Sequence, residues 1–332
     1  MIRILGAGAW GTALAALWAH PREGVPTPDI ELVAHSAADA SAISADHVNL
    51  RRLPGVTLPE SVVLRSVQEK LQELTASDLL VVAVPSDAIR SALQVAGTGA
   101  AGVVMASKGL SRDGERVSEL AVAEGVSAER LFTLSGPNLA REIGVGKPAA
   151  AVLATIGSRR DEVLAALARP TLRIYLSDDP IGVEVAGALK NVLAIAVSGI
   201  RSLGYGENAA AALLSRGVAE MARLAEACGG RAESAFGLAG VGDLVLTSSN
   251  TGSRNARLGE LLASGASVSE AVEKIGATVE GIPTAHGALL LAARLNIELP
   301  ITAAVVAALE HNVSIERLAE GLLGRAPTEE WH

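Results

Sequence analysis

One lysine in the middle of the chain has the surroundings that proton-transfer chemistry needs. Lys190 lies in the stretch Glu184-Val-Ala-Gly-Ala-Leu-Lys-Asn191, whose neighbouring apolar residues recur with the period of a helix. On that helix it shares a face with Gly187, Ala194 and Ser198. Such small residues leave room for a ligand to approach the ammonium group, and a partly desolvated lysine can donate a proton near neutral pH. The alternative is a solvated lysine on an ordinary helix.

Two polar stretches further along offer groups suited to a phosphorylated ligand. Gly240-Val-Gly-Asp243 frames an acid with glycines, and Ser253-Arg-Asn255 places a hydroxyl, a guanidinium and an amide at a predicted helix start. The planar fork of an arginine matches phosphate oxygens well. The alternatives are a solvent-facing acid and a simple capping turn.

A glycine-rich loop near the beginning of the chain is typical of dinucleotide binding. A predicted strand, Ile2–Leu5, is followed by Gly6-Ala-Gly-Ala-Trp-Gly11 and then by a strong helix former, Thr12–Trp18. Glycines at these spacings permit a tight turn, the approach of backbone to a pyrophosphate, and close helix packing, while the helix N-terminus attracts the phosphates. The pattern assigns cofactor binding to Gly6, Gly8, Ala9, Trp10 and Gly11.

The end of the second predicted strand bears on the choice of cofactor. An NAD-selective site usually carries an acid there to bind the ribose 2′-hydroxyl, but Ile30–Ala34 is followed by His35 and Ser36. No carboxylate would repel a 2′-phosphate, so NADPH is permitted beside NADH. His35 or Arg51-Arg52 could meet that phosphate, although two arginines in a loop are more often solvated.

Two more loops follow predicted parallel strands at the edge where ligands bind in such sheets. Lys108 follows Gly102–Ala106, and Ser135-Gly-Pro-Asn138 follows Leu131–Leu134. We expect Lys108 to contact phosphate or substrate, the alternative being an exposed loop lysine. Gly136 allows a small ligand to approach the backbone closely.

The order of elements predicts an α/β fold with two domains. Strands alternate with helices through residue 176, which favours a doubly wound parallel sheet. Beyond residue 180 the strand signal disappears, and helices are predicted from Asn208 to Cys228 and from Glu270 to Leu323, with breaks at Gly281-Ile-Pro283 and Pro300. We therefore predict a dinucleotide-binding domain over 1–180 and a helical substrate and catalytic domain over 181–332.

Composition limits the partners and the compartment. The formal net charge of −8 argues against a nucleic-acid surface. The single cysteine excludes an intrachain disulfide and a cysteine-cluster metal site, and we predict no metal. The longest uncharged run, Ser91–Ser107, is too short and too rich in glycine to span a bilayer, and the first residues form a strand, not a signal peptide. We expect a cytoplasmic protein without membrane insertion.

These motifs together resemble the bacterial NAD(P)H-dependent glycerol-3-phosphate dehydrogenases over nearly the whole chain. The resemblance rests on the following stretches: Gly6-Ala-Gly-Ala-Trp-Gly-Thr12, Val84-Pro-Ser86, Ser107-Lys-Gly109, Ser135-Gly-Pro137, Glu184–Asn191, Ser215-Arg-Gly217, Gly237–Leu244, Ser253-Arg-Asn255 and Val279-Glu-Gly281. It implies an N-terminal Rossmann domain, an all-helical C-terminal domain, and reduction of dihydroxyacetone phosphate to sn-glycerol 3-phosphate for glycerophospholipid synthesis.

The resemblance also implies residue roles. Lys190 matches the catalytic lysine, and we expect Asp243 to orient it or a substrate hydroxyl. Substrate-binding positions are Lys108, Gly136, Asn138, Lys190, Asp243, Ser253, Arg254 and Asn255. Positions that contact the nucleotide are Trp10, His35, Lys108, Ala140, Arg254, Thr278 and Glu280.

The chain departs from the family pattern at three of the positions considered. Asn138 stands where Ser or Thr is common and could still donate to phosphate, Arg52 stands where Tyr is common, and Glu207 replaces a usual Asp.

Two alternatives remain beside this hypothesis. A ketopantoate reductase-like or hydroxyacid enzyme also carries a Lys-Asn pair on its helical domain, but Lys108 with Ser253-Arg-Asn255 favours a phosphorylated substrate. A nucleotide sensor without catalysis has no need for the proton donor Lys190. The mean hydropathy of +0.36 makes a homodimer through the helical domain plausible.

Overall fold

The chain forms two compact units. A computed structural model describes residues 1–21, 27–250, 252–310, 316–317 and 321. The first unit, called the sheet unit below, comprises Met1–Lys108 and Glu115–Glu184. The second, the helical unit, comprises Gly109–Gly114 and the described residues from Val185 onward. The sequence did not indicate that the short segment Gly109–Gly114 would group with the helices.

The sheet unit contains one eight-stranded sheet. Its strands are β1 (Ile2–Leu5), β2 (Ile30–Ala34), β3 (Val62–Ser66), β4 (Leu79–Val82), β5 (Gly102–Met105), β6 (Leu131–Ser135), β7 (Ala149–Ala154) and β8 (Leu172–Ser177). The spatial order is β3-β2-β1-β4-β5-β6-β7-β8. Six of the seven pairings are parallel, so the predicted doubly wound α/β architecture is confirmed.

One pairing departs from the expected all-parallel sheet, because β7 runs antiparallel to β6. The connection between these strands contains only a five-residue helix, Ala140–Gly144. Such a helix advances the chain by about 7 Å, whereas a six-residue strand such as β7 spans about 20 Å. The chain therefore does not travel back along the sheet before it enters β7.

Six helices of the sheet unit lie between its strands. They are α1 (Ala9–Ala19), α2 (Ala37–Asp46), α3 (Ile89–Ala96), α4 (Val117–Ala123), α5 (Ala140–Gly144) and α6 (Arg160–Leu167). Alternate residues of the central strands enter two separate cores: Ile4 and Val81 belong to one, and Leu5 and Val82 to the other. Both faces of the sheet are thus covered, as the unbroken apolar run of β4 predicts.

From residue 180 onward the described chain contains helices and no strand. The helices are α7 (Pro180–Ser202), α8 (Gly206–Ala227), α9 (Glu233–Phe236), α10 (Asp243–Ser248), α11 (Arg254–Ala263), α12 (Val268–Ile275), α13 (Gly281–Arg294) and α14 (Pro300–Glu310). The predicted breaks at Gly281 and Pro300 are confirmed as helix starts. The predicted helix beyond Glu310 falls mostly outside the described residues.

Helix α7 is a core helix. Among the described helices it alone is long and apolar enough to cross a bilayer, but 89% of its apolar window is buried inside the structure. A helix enclosed on all sides needs apolar residues all round, which explains its hydropathy without a membrane.

Candidate functional site

The glycine loop of the sheet unit has the backbone geometry that its spacing predicts. Gly6, directly after β1, has φ +104°, a conformation that L side chains rarely adopt. A Cβ on Gly11 would lie 2.0 Å from the carbonyl oxygen of Gly6, so only glycine lets the start of α1 pack this closely. Gly8 is the N-cap of α1, and a Cβ built there meets no atom within 4 Å. The loop therefore packs closely against the protein at Gly6 and Gly11 and has free space beside Gly8.

These features fit the phosphates of a dinucleotide. No side chain caps the first turn of α1 at Gly8, and helix N-termini of this kind bind anions through N–H groups and the helix dipole. The indole Nε1 of Trp10 is buried without a hydrogen-bond partner among the described residues. An orphaned donor beside an uncapped helix start suits an acceptor-rich ligand.

Further predicted nucleotide positions lie along the same edge of the sheet. The amide of Gly6 donates to Val33 of β2 at 2.9 Å, so His35, which follows β2 and is exposed, lies near the loop. Helix α5, whose first residue is Ala140, packs against α1.

Lys108 and Gly136 are brought together, as their positions after β5 and β6 predict. The ammonium of Lys108 donates to the carbonyl oxygen of Gly136 at 2.8 Å and lies 5.9 Å from the centre of the Trp10 ring. Lys108 is half-buried and is therefore not the exposed loop lysine of the alternative interpretation. The contact joins a predicted substrate position to Trp10 of the glycine loop within one unit.

The amide of Asn138 is engaged with the protein. Its Nδ2 donates to the carbonyl oxygen of Ala150 at 2.9 Å, while its Oδ1 is buried and accepts no hydrogen bond from the described residues. One of the two N–H groups that a phosphate could use is thus occupied by β7.

In the helical unit, Lys190 lies in a buried polar cluster. Its side chain on α7 is 9% exposed, and that of Asp243, the first residue of α10, is 3% exposed. The ammonium donates to Asp243 Oδ1 at 3.1 Å and to Thr247 Oγ1 at 2.9 Å. Lys190 is therefore desolvated and held in place, and the solvated-lysine alternative is wrong.

Thr247 is a member of this cluster that sequence reasoning missed. Its hydroxyl also donates to Asp243 Oδ1 at 3.1 Å, which closes a three-membered network. Asp243 and Thr247 are four residues apart, so they share one face of α10. That spacing was the available signal. A π-helical turn, Leu238–Gly242, immediately precedes Asp243, and such turns are frequent at functional sites.

A second buried network holds Asn255. Its Nδ2 donates to Asn191 Oδ1 at 2.8 Å, and its Oδ1 accepts from the amide of Gly281 at 3.0 Å. Asn191 neighbours Lys190 on α7, so this network fixes the start of α11 against the helix that carries the lysine. The role of Asn191 was also missed.

Arg254 begins α11 and is exposed. Its guanidinium donates to the carbonyl oxygen of Thr278 at 2.7 Å, which brings together two predicted nucleotide positions. Glu280 is the N-cap residue of α13. The hydroxyl of Ser253 accepts from the amide of Ala256 at 3.2 Å and caps α11, so Ser253 has at least the capping role.

Glu184, at the start of the lysine-bearing stretch, is a buried acid within the sheet unit. Burial raises its pKa, against the opposing effects of Arg116 and of hydrogen bonds from Ser118. Its two carboxylate oxygens accept from the Ser118 amide at 2.7 Å and hydroxyl at 2.6 Å. This carboxylate therefore anchors the first turn of α4.

Comparison with known proteins gives matches over nearly the whole chain. Two family models, described as the N-terminus and the C-terminus of NAD-dependent glycerol-3-phosphate dehydrogenase, match residues 1–161 and 179–320. A curated relative from a Polaromonas species, named glycerol-3-phosphate dehydrogenase (NAD(P)+), is 40% identical and aligns over 99% of both chains.

Solved structures show that the fold is shared as well. A glycerol-3-phosphate dehydrogenase from Coxiella burnetii is 34% identical, with a TM-score of 0.85 over 98% of both chains. A putative 2-dehydropantoate 2-reductase from Enterococcus faecalis also aligns over 96% of this chain and 98% of its own, but with a TM-score of 0.56 and 14% identity. The second likeness shows a shared architecture alone.

Proposed function

This chain belongs to the NAD-dependent glycerol-3-phosphate dehydrogenase family, and we propose that it reversibly reduces dihydroxyacetone phosphate to sn-glycerol 3-phosphate. The contact of Lys190 with Asp243 and Thr247 in a buried setting carries the proposal. A binding module or sensor has no need to hold an ammonium away from water beside an acid and a hydroxyl.

Lys190 is the general acid in this proposal. It donates a proton to the C2 oxygen of the ketone as that oxygen becomes an alkoxide, and its positive charge stabilises the developing negative charge. Asp243 and Thr247 fix the position of the ammonium through the contacts at 3.1 and 2.9 Å. In the reverse direction the neutral amine accepts the proton from the C2 hydroxyl.

A reduced nicotinamide dinucleotide supplies the hydride when bound. Gly6, Gly8 and Gly11 shape the loop for its pyrophosphate, and the uncapped start of α1 supplies N–H donors. We assign nucleotide contacts also to Ala9, Trp10, His35, Lys108, Ala140, Arg254, Thr278 and Glu280. Because no acid follows β2, both NADH and NADPH are accepted, and we assign the exposed His35, which follows β2, to the 2′ group.

We assign substrate binding to charged and polar groups of the chain. Lys108 and Arg254 supply positive charge and Asn255 an amide, while Gly136, Asn138 and Ser253 complete the set. Arginine binds phosphate oxygens in a two-pronged fashion, and a phosphate monoester, with its double negative charge, requires such cationic partners. This charge requirement distinguishes the substrate from that of a ketopantoate reductase.

The compartment, the oligomeric state and the metabolic role are further parts of the proposal. We infer a cytoplasmic homodimer that supplies glycerol phosphate to glycerophospholipid synthesis. Exposed apolar side chains of the helical unit support self-association: Phe236 is 50% and Leu290 48% exposed. Light scattering coupled to gel filtration tests this, because a monomer at micromolar concentration would contradict it.

An absorbance assay tests the activity itself. Purified protein is mixed with NADH or NADPH and either dihydroxyacetone phosphate or dihydroxyacetone. We expect loss of the reduced-nicotinamide band only with the phosphorylated ketone, and the ratio of the two rates gives the cofactor preference. Binding of NADH without oxidation by the phosphorylated ketone would contradict the proposal and favour a sensor or another carbonyl substrate.

A further inference from the structure

A buried asparagine outside the sequence motifs holds the glycine loop. Asn49 is 3% exposed and follows α2 in the sheet unit. Its Nδ2 donates two hydrogen bonds, to the carbonyl oxygen of Ala7 at 2.9 Å and to Thr12 Oγ1 at 2.9 Å. Ala7 lies inside the loop and Thr12 in the first turn of α1, so one amide group joins the two.

The contact with Ala7 determines where the next amide points. A trans peptide is planar, with its C=O and the following N–H directed oppositely. Because the Ala7 carbonyl is aimed at Asn49, the N–H of Gly8 is directed away from Asn49. Gly8 is also the residue at which an added Cβ meets no atom within 4 Å. Asn49 thus directs the Gly8 amide donor to the side of the loop that faces away from Asn49.

The contact with Thr12 fixes the other end. Thr12 is fully buried, and its amide donates to the carbonyl oxygen of Gly8 at 3.0 Å. The amide of Asn49 therefore restrains the Ala7–Gly8 peptide plane directly, and it also holds the side chain of the residue whose backbone amide bonds to Gly8.

Asn49 is itself anchored on the opposite side. Its Oδ1 accepts from the amide of Arg52 at 3.1 Å, and its backbone carbonyl accepts from Leu53 at 2.8 Å. The surrounding loop is closed by the bridge between Val48 and Thr57. Both N–H groups and the oxygen of the side-chain amide are in use, which allows only one orientation of the amide. Aspartate has the same shape but no N–H donors.

We propose that Asn49 is a positioning residue for dinucleotide binding, which pre-orients the Gly8 N–H toward the cofactor pyrophosphate. The inference rests on the proposed function, in which this loop binds NADH or NADPH. A loop held in its binding conformation loses less freedom when the ligand arrives. Asn49 should therefore influence affinity for any ligand that contains the pyrophosphate, and leave the proton-transfer chemistry unaffected.

The test compares Asn49→Asp and Asn49→Ala with a matched control, Thr155→Val. Thr155 makes an equally buried side-chain bond to a backbone carbonyl in the same unit, Oγ1 to Leu131 at 2.7 Å, away from the loop. Calorimetric titration with NADH, NADPH and ADP-ribose measures affinity, and thermal unfolding measures stability. Steady-state kinetics then separate the nucleotide KM from kcat and from the ketone KM.

We expect the Asn49 variants to bind all three ligands about tenfold more weakly, since two hydrogen bonds that shape the loop are lost. At saturating nucleotide, kcat and the ketone KM should stay at parental values. Thr155→Val should lower the unfolding temperature and leave the three affinities unchanged. Thr12→Val removes one of the two contacts and keeps the side-chain shape, so we expect a smaller loss of ligand affinity. This variant replaces the Asn49 variants in the test if those do not fold.

Parental affinities in folded Asn49 and Thr12 variants would overturn the inference. A loss confined to NADPH would also overturn it, because the effect would then come from the 2′-phosphate and not from the shared pyrophosphate. If the parent itself binds neither nucleotide, the proposed function fails first and this inference with it.

Discussion

The glycine loop of the sheet unit and the lysine cluster of the helical unit are built in opposite ways. The loop presents backbone groups to a ligand: Gly8 has free space beside it, Gly6 makes a turn with positive φ, and the start of α1 has no side-chain cap. The cluster offers side chains: Lys190, Asp243 and Thr247, joined from two helices and buried. The loop is suited to binding an anion, and the cluster is suited to proton transfer.

Because of this difference, nucleotide binding and acid–base catalysis can be assigned to separate groups of one chain. Backbone donors carry no titratable proton, so the loop can bind a nucleotide without taking part in acid–base catalysis. A buried ammonium beside a carboxylate is costly to maintain, which is reasonable where the charge is used. Changes in the loop should therefore alter nucleotide affinity, and changes in the cluster should alter turnover.

The largest effect on affinity is expected from Gly8→Ala. The added methyl group meets no protein atom within 4 Å, so the fold should be kept while the space for the pyrophosphate is occupied. We expect nucleotide binding to weaken about 10- to 100-fold, the equivalent of one lost charge-assisted hydrogen bond. Calorimetric titration with NADH checks this.

Gly11→Ala serves as a comparison, because it is expected to disturb the fold of the loop as well as nucleotide binding. Its methyl group would lie 2.0 Å from the Gly6 carbonyl oxygen, so we expect a lower unfolding temperature in addition to weaker binding. Parental affinity in Gly8→Ala would show that the pyrophosphate does not approach this side of the loop.

A smaller effect, on substrate affinity, is expected from Arg254→Ala. Loss of a charge-assisted contact worth about 1.5–3 kcal/mol should raise the ketone KM about tenfold or more. The control is Arg257→Ala on the same helix, because Arg257 pairs with Glu260 at 3.2 Å and has no assigned role. An unchanged KM in Arg254→Ala would remove this residue from the phosphate site.

Thr247→Val removes one partner of the lysine and keeps the charge pair. Valine has the shape of threonine without the hydroxyl, so the bonds to Lys190 and Asp243 are both lost. The bond to Lys190, worth about 1 kcal/mol, is the one that bears on proton transfer, so we expect kcat to fall about fivefold with parental nucleotide affinity. A variant whose kcat stays parental but whose nucleotide binding weakens would reverse the assignment of the two regions.

The smallest effect concerns the pH dependence of stability and belongs to Glu184. Burial raises its pKa above the ordinary value of 4.5, so the folded state holds this proton more tightly than the unfolded state. Stability therefore falls as pH rises from the ordinary carboxyl range to the raised pKa.

Glu184→Gln should remove that slope. Glutamine can accept from the Ser118 amide and donate to its hydroxyl, so both contacts survive without the charge. The unfolding temperature of the variant, relative to the parent, should rise as pH rises through this window. Glu129→Gln, at an exposed residue of the same unit, is the control. Equal pH dependence in parent and Glu184→Gln would contradict the account of this group.

Most of the strands were predictable from runs rich in apolar residues, such as Ile30–Ala34 and Leu131–Leu134. Strand β3, which lies at the sheet edge with Val63 45% exposed and includes Arg65, was not. It lacks the continuous hydrophobic signal of a strand covered on both faces. The reversal at β7 depends on the shortness of α5, which local patterns do not determine.

The glycine loop and the lysine cluster also differed in how far the sequence predicted them. The glycine loop is contiguous, so its spacing alone carried the prediction of its geometry. Thr247 and Asn191 act through partners 57 and 64 residues away, and Asn49 reaches a loop 42 residues before it. Such contacts arise only when tertiary packing brings distant segments together, and single-sequence patterns do not encode them.

The most direct test of the separation between binding and chemistry is made on Lys190→Met. Nucleotide affinity by titration and kcat with saturating dihydroxyacetone phosphate are measured on one preparation of folded protein. We expect parental affinity for NADH and a fall in kcat of at least about 10²-fold, the usual contribution of a general acid. A kcat within about threefold of the parent, less than about 1 kcal/mol of barrier, would contradict this expectation.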